Sequence, residues 1–253
     1  MKDYPLISIV TIVYNDLPGF QKTVKTVIDQ DYKNIEYIVI DGGSTDGTEQ
    51  AIKENEAHID YWVSEPDKGI ADAFNKGVLA ANGDWIVLLN AADYFQHSGV
   101  VKLMVPHLLA NPDADLVFGK LTEIHKNGKI GKSFGKPFDL KTFHRECTII
   151  HPASFHNKSF FKKNGLFNSD FKIAMDYEIF LRKKDLKAVF ADEQITFMEI
   201  GGVSQQNPSA AYKEVNKAKK IHLDKSELSL SKDYYENMLR YRLSKIKNRI
   251  LPK

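Results

Sequence analysis

An α/β fold with a mostly parallel central sheet is what this sequence predicts, and three observations predict it. Short β-branched runs alternate with helix-period apolar patterns as far as residue 90. The runs are apolar at consecutive positions, as in strands buried on both faces. Each run ends abruptly in polar residues, and in open parallel sheets ligands sit beyond the carboxyl ends of the strands.

Ile7 to Val13 is the first run, and Phe20, Val24, Val27 and Ile28 after it recur at helical spacing. Tyr37 to Ile40 predicts a second strand, ending in the turn-rich DGGSTDGT at 41–48. A short helix over Thr48 to Glu54 and a third strand over Tyr61 to Val63 follow. Gly69 to Ala81 reads as a helix with Ile70, Phe74, Val78 and Ala81 on one side, and Trp85 to Leu89 as a fourth buried strand. Strands joined by helical crossovers make a parallel sheet covered on both faces.

The second half is less regular. Leu116 to Ile124 and Ile130 to Phe134 flank Asn127–Gly128, a strong hairpin signal. A mixed segment over His151 to Phe161 precedes a helix expected from about Met175 to Lys184. From about Asn207 the chain turns Lys-rich and helical. Tyr235, Leu239, Leu243, Ile246 and Ile250 form a stripe there, beside Arg240, Arg242, Lys245, Lys247, Arg249 and Lys253, with no acid after Arg240. That is a basic amphipathic helix.

Composition narrows the class. Of 253 residues 43% are hydrophobic and 27% charged, ordinary for a globular chain with a real core. A net charge of +2 is too small to imply nucleic acid. The single cysteine, Cys147, cannot form an internal disulfide, so a reducing compartment and a packed, inert thiol are expected. No run approaches the ~20 apolar residues of a membrane span. Met1 to Pro5 carries charges and no apolar core, so a cytoplasmic protein is expected, with peripheral contact at the inner face of the membrane left open.

All four strand ends are polar: Tyr14–Asn15–Asp16, Asp41–Gly42–Gly43, Glu65–Pro66–Asp67–Lys68 and Asn90–Ala91–Ala92–Asp93. The runs SIVTIVYN, EYIVIDGGSTDGT, SEPDKGIADAFNKGV, GDWIVLLNAAD and AMDYEIFLR, in this order, resemble family 2 glycosyltransferases of the GT-A fold. The flavour is that of the bacterial surface-polysaccharide branch, such as colanic-acid-type transferases, over roughly Ile7 to Ser204. The resemblance implies a Rossmann-like nucleotide-binding half (1–95) and a smaller mixed acceptor half (96–205), and the Lys-rich composition after them marks a helical tail (206–253). It also implies an inverting glycosyltransferase that moves a sugar from a nucleoside-diphosphate donor, a UDP-sugar, to a saccharide or lipid-linked saccharide hydroxyl.

Such a reaction needs a grip on the nucleotide, neutralisation of the diphosphate, and a base for the acceptor hydroxyl. A hard divalent cation, Mn²⁺ or Mg²⁺, suits the second need and prefers carboxylate ligands. The resemblance implies that Asp41 accepts a hydrogen bond from the base and that Tyr14 contacts its ring; Asp41 as a simple turn-former is the alternative. Asp67, Lys68 and Gly69 precede a helix, where phosphate is attracted, with a solvated loop as the alternative. Asn75 and Asn90 are further donor-site candidates.

The family's metal motif is Asp-any-Asp, and here only its final acid survives, as Asp93; with Ala91 and Ala92 before it, the companion carboxylate is missing. Metal affinity without donor should then be weak. The alternative is that Asp93 caps a following helix. Asp176 matches the family's general base, with a plain helix-start acid as the alternative, and Glu178, which points elsewhere on the helix, is structural or faces the acceptor. His151 lines the acceptor or diphosphate site or is structural, and Gly201–Gly202 marks a loop suited to closing over the donor.

Two other classes compete. A nucleotide-sugar-binding protein without transferase activity fits the loss of the companion acid. A nucleotidyltransferase wants a Gly-rich loop with a basic residue after the first strand, where this chain has Tyr14–Asn15–Asp16–Leu17. No G-x-G-x-x-G follows that strand either, which disfavours a dinucleotide-binding oxidoreductase. The tail over 234–253 suits an anionic membrane surface, and packing on the domain or in a homodimer is the competing expectation.

Overall fold

The computed structural model describes residues 4–125 and 127–250, with side chains described through residue 243. β1 (Ile7–Val13) leads into α1 (Leu17–Ile28), β2 (Ile35–Asp41) into α2 (Thr48–Glu54), β3 (Tyr61–Ser64) into α3 (Ile70–Ala80), and β4 (Trp85–Asn90) follows. β1 pairs in parallel with both β2 and β4, and β2 in parallel with β3. The expected crossover architecture is therefore present.

The sheet continues with the expected β6–β7 hairpin and with strands that local pattern does not announce. After β5 (Asp93–Phe95) and α4 (Val100–Ala110) come β6 (Leu116–Ile124), β7 (Ile130–Phe134), α5 (Leu140–Phe143), β8 (Ser154–Asn157), α6 (Lys158–Asn164), α7 (Met175–Leu181) and β9 (Ala188–Glu199). The sheet order is β3-β2-β1-β4-β8-β6-β9-β5, with β7 paired to β6. β8 runs antiparallel to β4 and β6, β6 is parallel to β9, and β5 is antiparallel to β9. Two reversals restore direction, so β9 ends on the same rim as β1 to β4. That brings Glu199 to the strand-end crevice.

Alternate residues of each buried strand feed two cores. Val10, Ile12, Ile38 and Ile40 face α3 and α7, with Phe74, Phe143, Phe160, Phe171 and Phe180. Ile7, Ile9, Val13 and Val39 face α1, α2 and α4. α3 sits so close to β1 that a Cβ on Gly77 would lie 2.2 Å from Val10 Cγ1. Each fully buried Phe stabilises the fold by about 1.5–3 kcal/mol.

After α8 (Val203–Gln206), the chain ends in α9 (Pro208–His222) and α10 (Glu227–Ile250). α9 is no appendage. Ala218 is buried in the core that also contains α7, and Lys219 is fully buried, bonded to Asp233 and to the Arg145 carbonyl. A boundary at 205/206 thus cuts through packed structure. On α10, Leu228, Tyr235, Leu239 and Leu243 are exposed, and Leu230, on the opposite side of the helix, is buried. The side chains of Lys245, Ile246, Lys247, Arg249 and Ile250 lie outside the described ones, and Met1 and Lys253 outside the described residues. Among the described residues no helix is long and apolar enough to cross a membrane.

Candidate active site

The loops after β1, β2 and β3 meet directly. A Cβ on Gly42 would lie 2.6 Å from Asp67 Oδ2 and 3.2 Å from Tyr14 Cδ2, so any larger residue there must push the Asp67 carboxylate aside. Tyr14 is 65% exposed, its ring free for contact. Asp67 Oδ1 accepts the Gly69 N–H at 2.7 Å, holding Gly69 at φ +114° as the N-cap of α3. The Lys68 N–H is taken by Asp72, its carbonyl accepts Lys172 Nζ at 3.1 Å, and its side chain is exposed.

Asp41 ends β2 and shapes the turn after it, as its alternative expectation has it. It is fully buried, and its carboxylate accepts the Ser44 N–H (3.0 Å), the Ser44 hydroxyl and the Ser64 hydroxyl (2.6 Å). Ser44 Oγ in turn accepts the Asn15 N–H at 2.7 Å. Asp41 thus ties together the loops after β1, β2 and β3.

Asp93 opens β5 rather than capping a helix, which removes that alternative. It is 4% exposed, and Oδ2 accepts both the backbone N–H and the side-chain amide of Asn90, at 3.2 and 2.8 Å. Asn90 therefore orients Asp93. Among the described residues Oδ1 accepts no hydrogen bond. Burial pushes the carboxyl up to about 7, against the Asn90 hydrogen bonds and with the nearby Glu199 charge. Glu199 is itself ion-paired with Lys22. Among the described residues no three His, Cys, Asp or Glu side chains gather into a site that could hold a metal. One carboxylate oxygen fits a cation that takes its other ligands from phosphate and water.

Asp176 occupies the first turn of α7. Burial pushes it up to about 6, opposed by the backbone N–H groups of Tyr177 and of Asp176 itself; Tyr177 N–H is 2.7 Å away. Cys147 is exposed rather than packed, and the protein around its sulfur together with the Asp176 charge pushes its thiol up. Glu178 is structural: it is buried and paired with Arg182 and with His222 of α9.

Three further expectations are corrected or located. The Asn75 amide is spent at both ends on the Phe167 backbone, at 2.9 and 2.8 Å, so it clamps α3 to the segment before α7. His151 sits edge-on to Phe74 and Phe167, 5.4 and 5.8 Å between ring centres, in the aromatic core. Burial, with neighbouring His156, pushes its ring well below the usual imidazole range. Gly201 (φ +120°) and Gly202 lie in open space directly after β9.

The chain matches the profile described as Glycosyl transferase family 2 over residues 8–167. The chain belongs to this family. As a family 2 member it is a glycosyltransferase, and its relatives agree. An uncharacterized glycosyltransferase of Mycobacterium tuberculosis is 35% identical over 236 residues, 88% of this chain and 86% of that protein. Staphylococcus aureus TarS 1–349 with UDP-GlcNAc superposes with a TM-score of 0.69 at 16% identity, over 92% of this chain and 71% of that one; the match spans 43% of a longer TarS chain. A Pyrobaculum calidifontis mannosyltransferase with GDP-Man and Mn²⁺ gives 0.67 at 17% identity, over 92% and 69%. These likenesses establish the GT-A fold of this family 2 glycosyltransferase.

Several contributors escaped sequence reasoning. Thr23, on α1, donates to the Asp93 carbonyl at 2.8 Å and accepts the Ala92 N–H at 3.1 Å. Lys172 and Glu199 reach the rim from the irregular half. Nothing in their local sequence distinguishes them from surface charges; only the strand order does.

Proposed function

We propose that this family 2 glycosyltransferase transfers a sugar, with inversion, from a UDP-sugar to a hydroxyl of a saccharide or lipid-linked saccharide in bacterial surface-polysaccharide assembly. The observation that carries the reading is the pairing on one rim of an exposed Tyr14–Gly42–Asp67 cleft with a buried Asp93 that keeps one oxygen free. The base and ribose lie along Tyr14 and Asp67, with Asp41 bracing the loops behind them. The diphosphate lies toward Gly69 and Lys68 at the start of α3. Asp93 would hold Mn²⁺ or Mg²⁺, which, when bound, offsets charge developing on the leaving diphosphate.

Asp176 takes the proton of the acceptor hydroxyl. The acceptor oxygen attacks the anomeric carbon while the bond from that carbon to the phosphate oxygen breaks, and the nucleoside diphosphate departs with the electron pair. A carboxyl near 6 is ionised at neutral pH yet basic enough to accept a proton in the transition state. No covalent sugar–enzyme intermediate is needed.

The apolar stripe on α10 supports contact with an anionic membrane, which would bring a lipid-linked acceptor to the α7 side. A second copy of the chain is the competing occupant.

Calorimetry with UDP, GDP, dTDP and CDP, with and without Mn²⁺, on the wild type and Asp93→Ala tests the donor reading. UDP binding enhanced by Mn²⁺ and weakened in the variant is expected. Metal-indifferent binding removes Asp93 from its role. UDP binding with neither transfer nor donor hydrolysis leaves a binding protein without transferase activity.

A further inference from the structure

We infer that Glu214, on α9, is the positioning residue for Asp176, an inference that rests on the assignment of Asp176 as the base. Glu214 Oε2 accepts the backbone N–H groups of Lys172, Ile173 and Ala174 at 3.1, 2.8 and 2.9 Å, and Oε1 takes the Lys172 N–H as well at 3.0 Å. Three successive amides converging on one carboxylate form an anion-binding nest. α7 begins at the next residue, Met175, and Asp176 follows it.

The nest matters because α7 cannot orient itself. It has seven residues, and its N-cap, Ala174, supplies no side-chain cap; helices this short are marginal without tertiary support. Among the described residues no side chain hydrogen-bonds Asp176, which accepts the backbone N–H of Tyr177, so the backbone aims it. Glu214 grips that backbone two to four residues upstream. Its bonds are charge-assisted, roughly twice as strong as neutral ones.

The same segment is stitched to the donor side. Asn75 brackets Phe167, and Lys172 Nζ reaches the Lys68 carbonyl in the loop before α3. Lys217, also on α9, lies over the Phe171 ring at 4.5 Å. The strap from Phe167 to Ala174 is thus suspended between the proposed diphosphate loop and Glu214, and Asp176 hangs from its end. A displacement of ~1 Å at a reacting group costs on the order of 100-fold in rate, so a loosened nest would be felt in turnover before it was felt in nucleotide binding.

Cys147, the chain's only cysteine, is a built-in reporter, because the Asp176 charge acts on its thiol. Its rate of reaction with a disulfide reagent is measured in the wild type, Asp176→Asn, Glu214→Ala and the double variant, with UDP affinity in Mn²⁺ measured alongside. Asp176→Asn should raise the thiol rate about three- to tenfold. Glu214→Ala should raise it to a similar extent, add nothing in the Asp176→Asn background, and leave UDP affinity within about twofold. Glu214→Gln, which keeps the shape and weakens the acceptor, should give a smaller rise of about twofold. An unchanged rate in Glu214→Ala overturns the inference, as does an equal rise in the Asp176→Asn background, which would signal general loosening. If Glu214→Ala does not fold, a wild-type rate in Glu214→Gln overturns it instead. Undiminished UDP release from UDP-sugars by Asp176→Asn would sink the base assignment itself, and the thiol cycle would still report whether Glu214 places Asp176.

Discussion

The hydroxyl of Thr23 donates to the carbonyl of Asp93 at 2.8 Å and accepts the N–H of Ala92 at 3.1 Å, across about 70 residues of sequence. Ala92 is held at φ +70°, a left-handed conformation that costs a non-glycine residue roughly 1–2 kcal/mol. The residue just before Asp93 is therefore held in place from α1. Thr23→Val keeps the shape and strands both backbone groups, at a cost of about 1–3 kcal/mol. A lower melting temperature should be accompanied by loss of the Mn²⁺ enhancement of UDP binding. A variant that melts early but keeps the full enhancement would show that Thr23 serves the fold alone.

Asp93 should be less favourable to the fold than its neutral isostere. Its folded carboxyl lies near 7, above the ordinary value of 3.8, because burial disfavours the charge. Its stability contribution is fully present below about 3.8 and is lost as pH rises toward 7. At ~1.4 kcal/mol per unit, the loss amounts to a few kcal/mol. Asp93→Asn should melt higher than the wild type at pH 8, match it near pH 4, and lose the metal enhancement of UDP binding. Denaturant unfolding at the two pH values checks the first part; an unchanged difference between them refutes it.

Turnover should follow the ionised fraction of Asp176. With saturating donor and cation, kcat should be half-maximal near pH 6 and fall about tenfold per unit below it. Asp176→Asn should lower kcat by roughly 10²–10⁴-fold with UDP affinity retained. A pH–rate profile of kcat that stays flat down to pH 5 would contradict the assignment.

Gly42→Ala places a methyl 2.6 Å from Asp67 Oδ2 and 3.2 Å from the Tyr14 ring. It should push the two walls of the proposed base cleft apart and weaken UDP binding by about tenfold or more, a loss of at least ~1.4 kcal/mol. Calorimetry measures this directly, and wild-type affinity would place the nucleotide elsewhere.

The α10 stripe makes its own prediction. The protein should pellet with phosphatidylglycerol vesicles at low salt and not with neutral ones, because apolar insertion and basic attraction act together. Leu239→Glu with Leu243→Glu should abolish pelleting, each leucine forfeiting about 1.5–3 kcal/mol of apolar burial. Failure to pellet even at low salt removes the membrane, and sedimentation then decides between a monomer and a pair of copies covering the stripe.

The parallel half was legible because its signals are local. Ile7–Val13 and Trp85–Leu89 are apolar at successive positions, and a strand buried on both faces leaves no polar alternation to misread. Asn127–Gly128 gave the hairpin for the same reason, two residues sufficing to specify the turn. β9 was not legible. Its ITFME run reads as a short apolar patch, and becomes a long strand only through β6 on one side and β5 on the other. Likewise, α9 looked like a tail from its lysines, although Lys219 is among the most buried side chains described.

By itself the sequence determined the fold class, the four polar strand ends and the family, since periodicity and turn chemistry act over a few residues and survive without knowledge of partners. Tertiary structure alone decided what each polar group is free to do. Asp41, Asn75 and Asn90 have side chains suited to a nucleotide, yet each is committed to a serine, a backbone or a carboxylate brought up from elsewhere. Thr23, Glu199 and Glu214 look like ordinary helix and strand residues until the chain folds them against Ala92, Asp93 and the approach to Asp176. A hydrogen bond or a buried charge depends on what lies within a few ångströms in space, and neighbours drawn from tens of residues away leave no trace in local pattern.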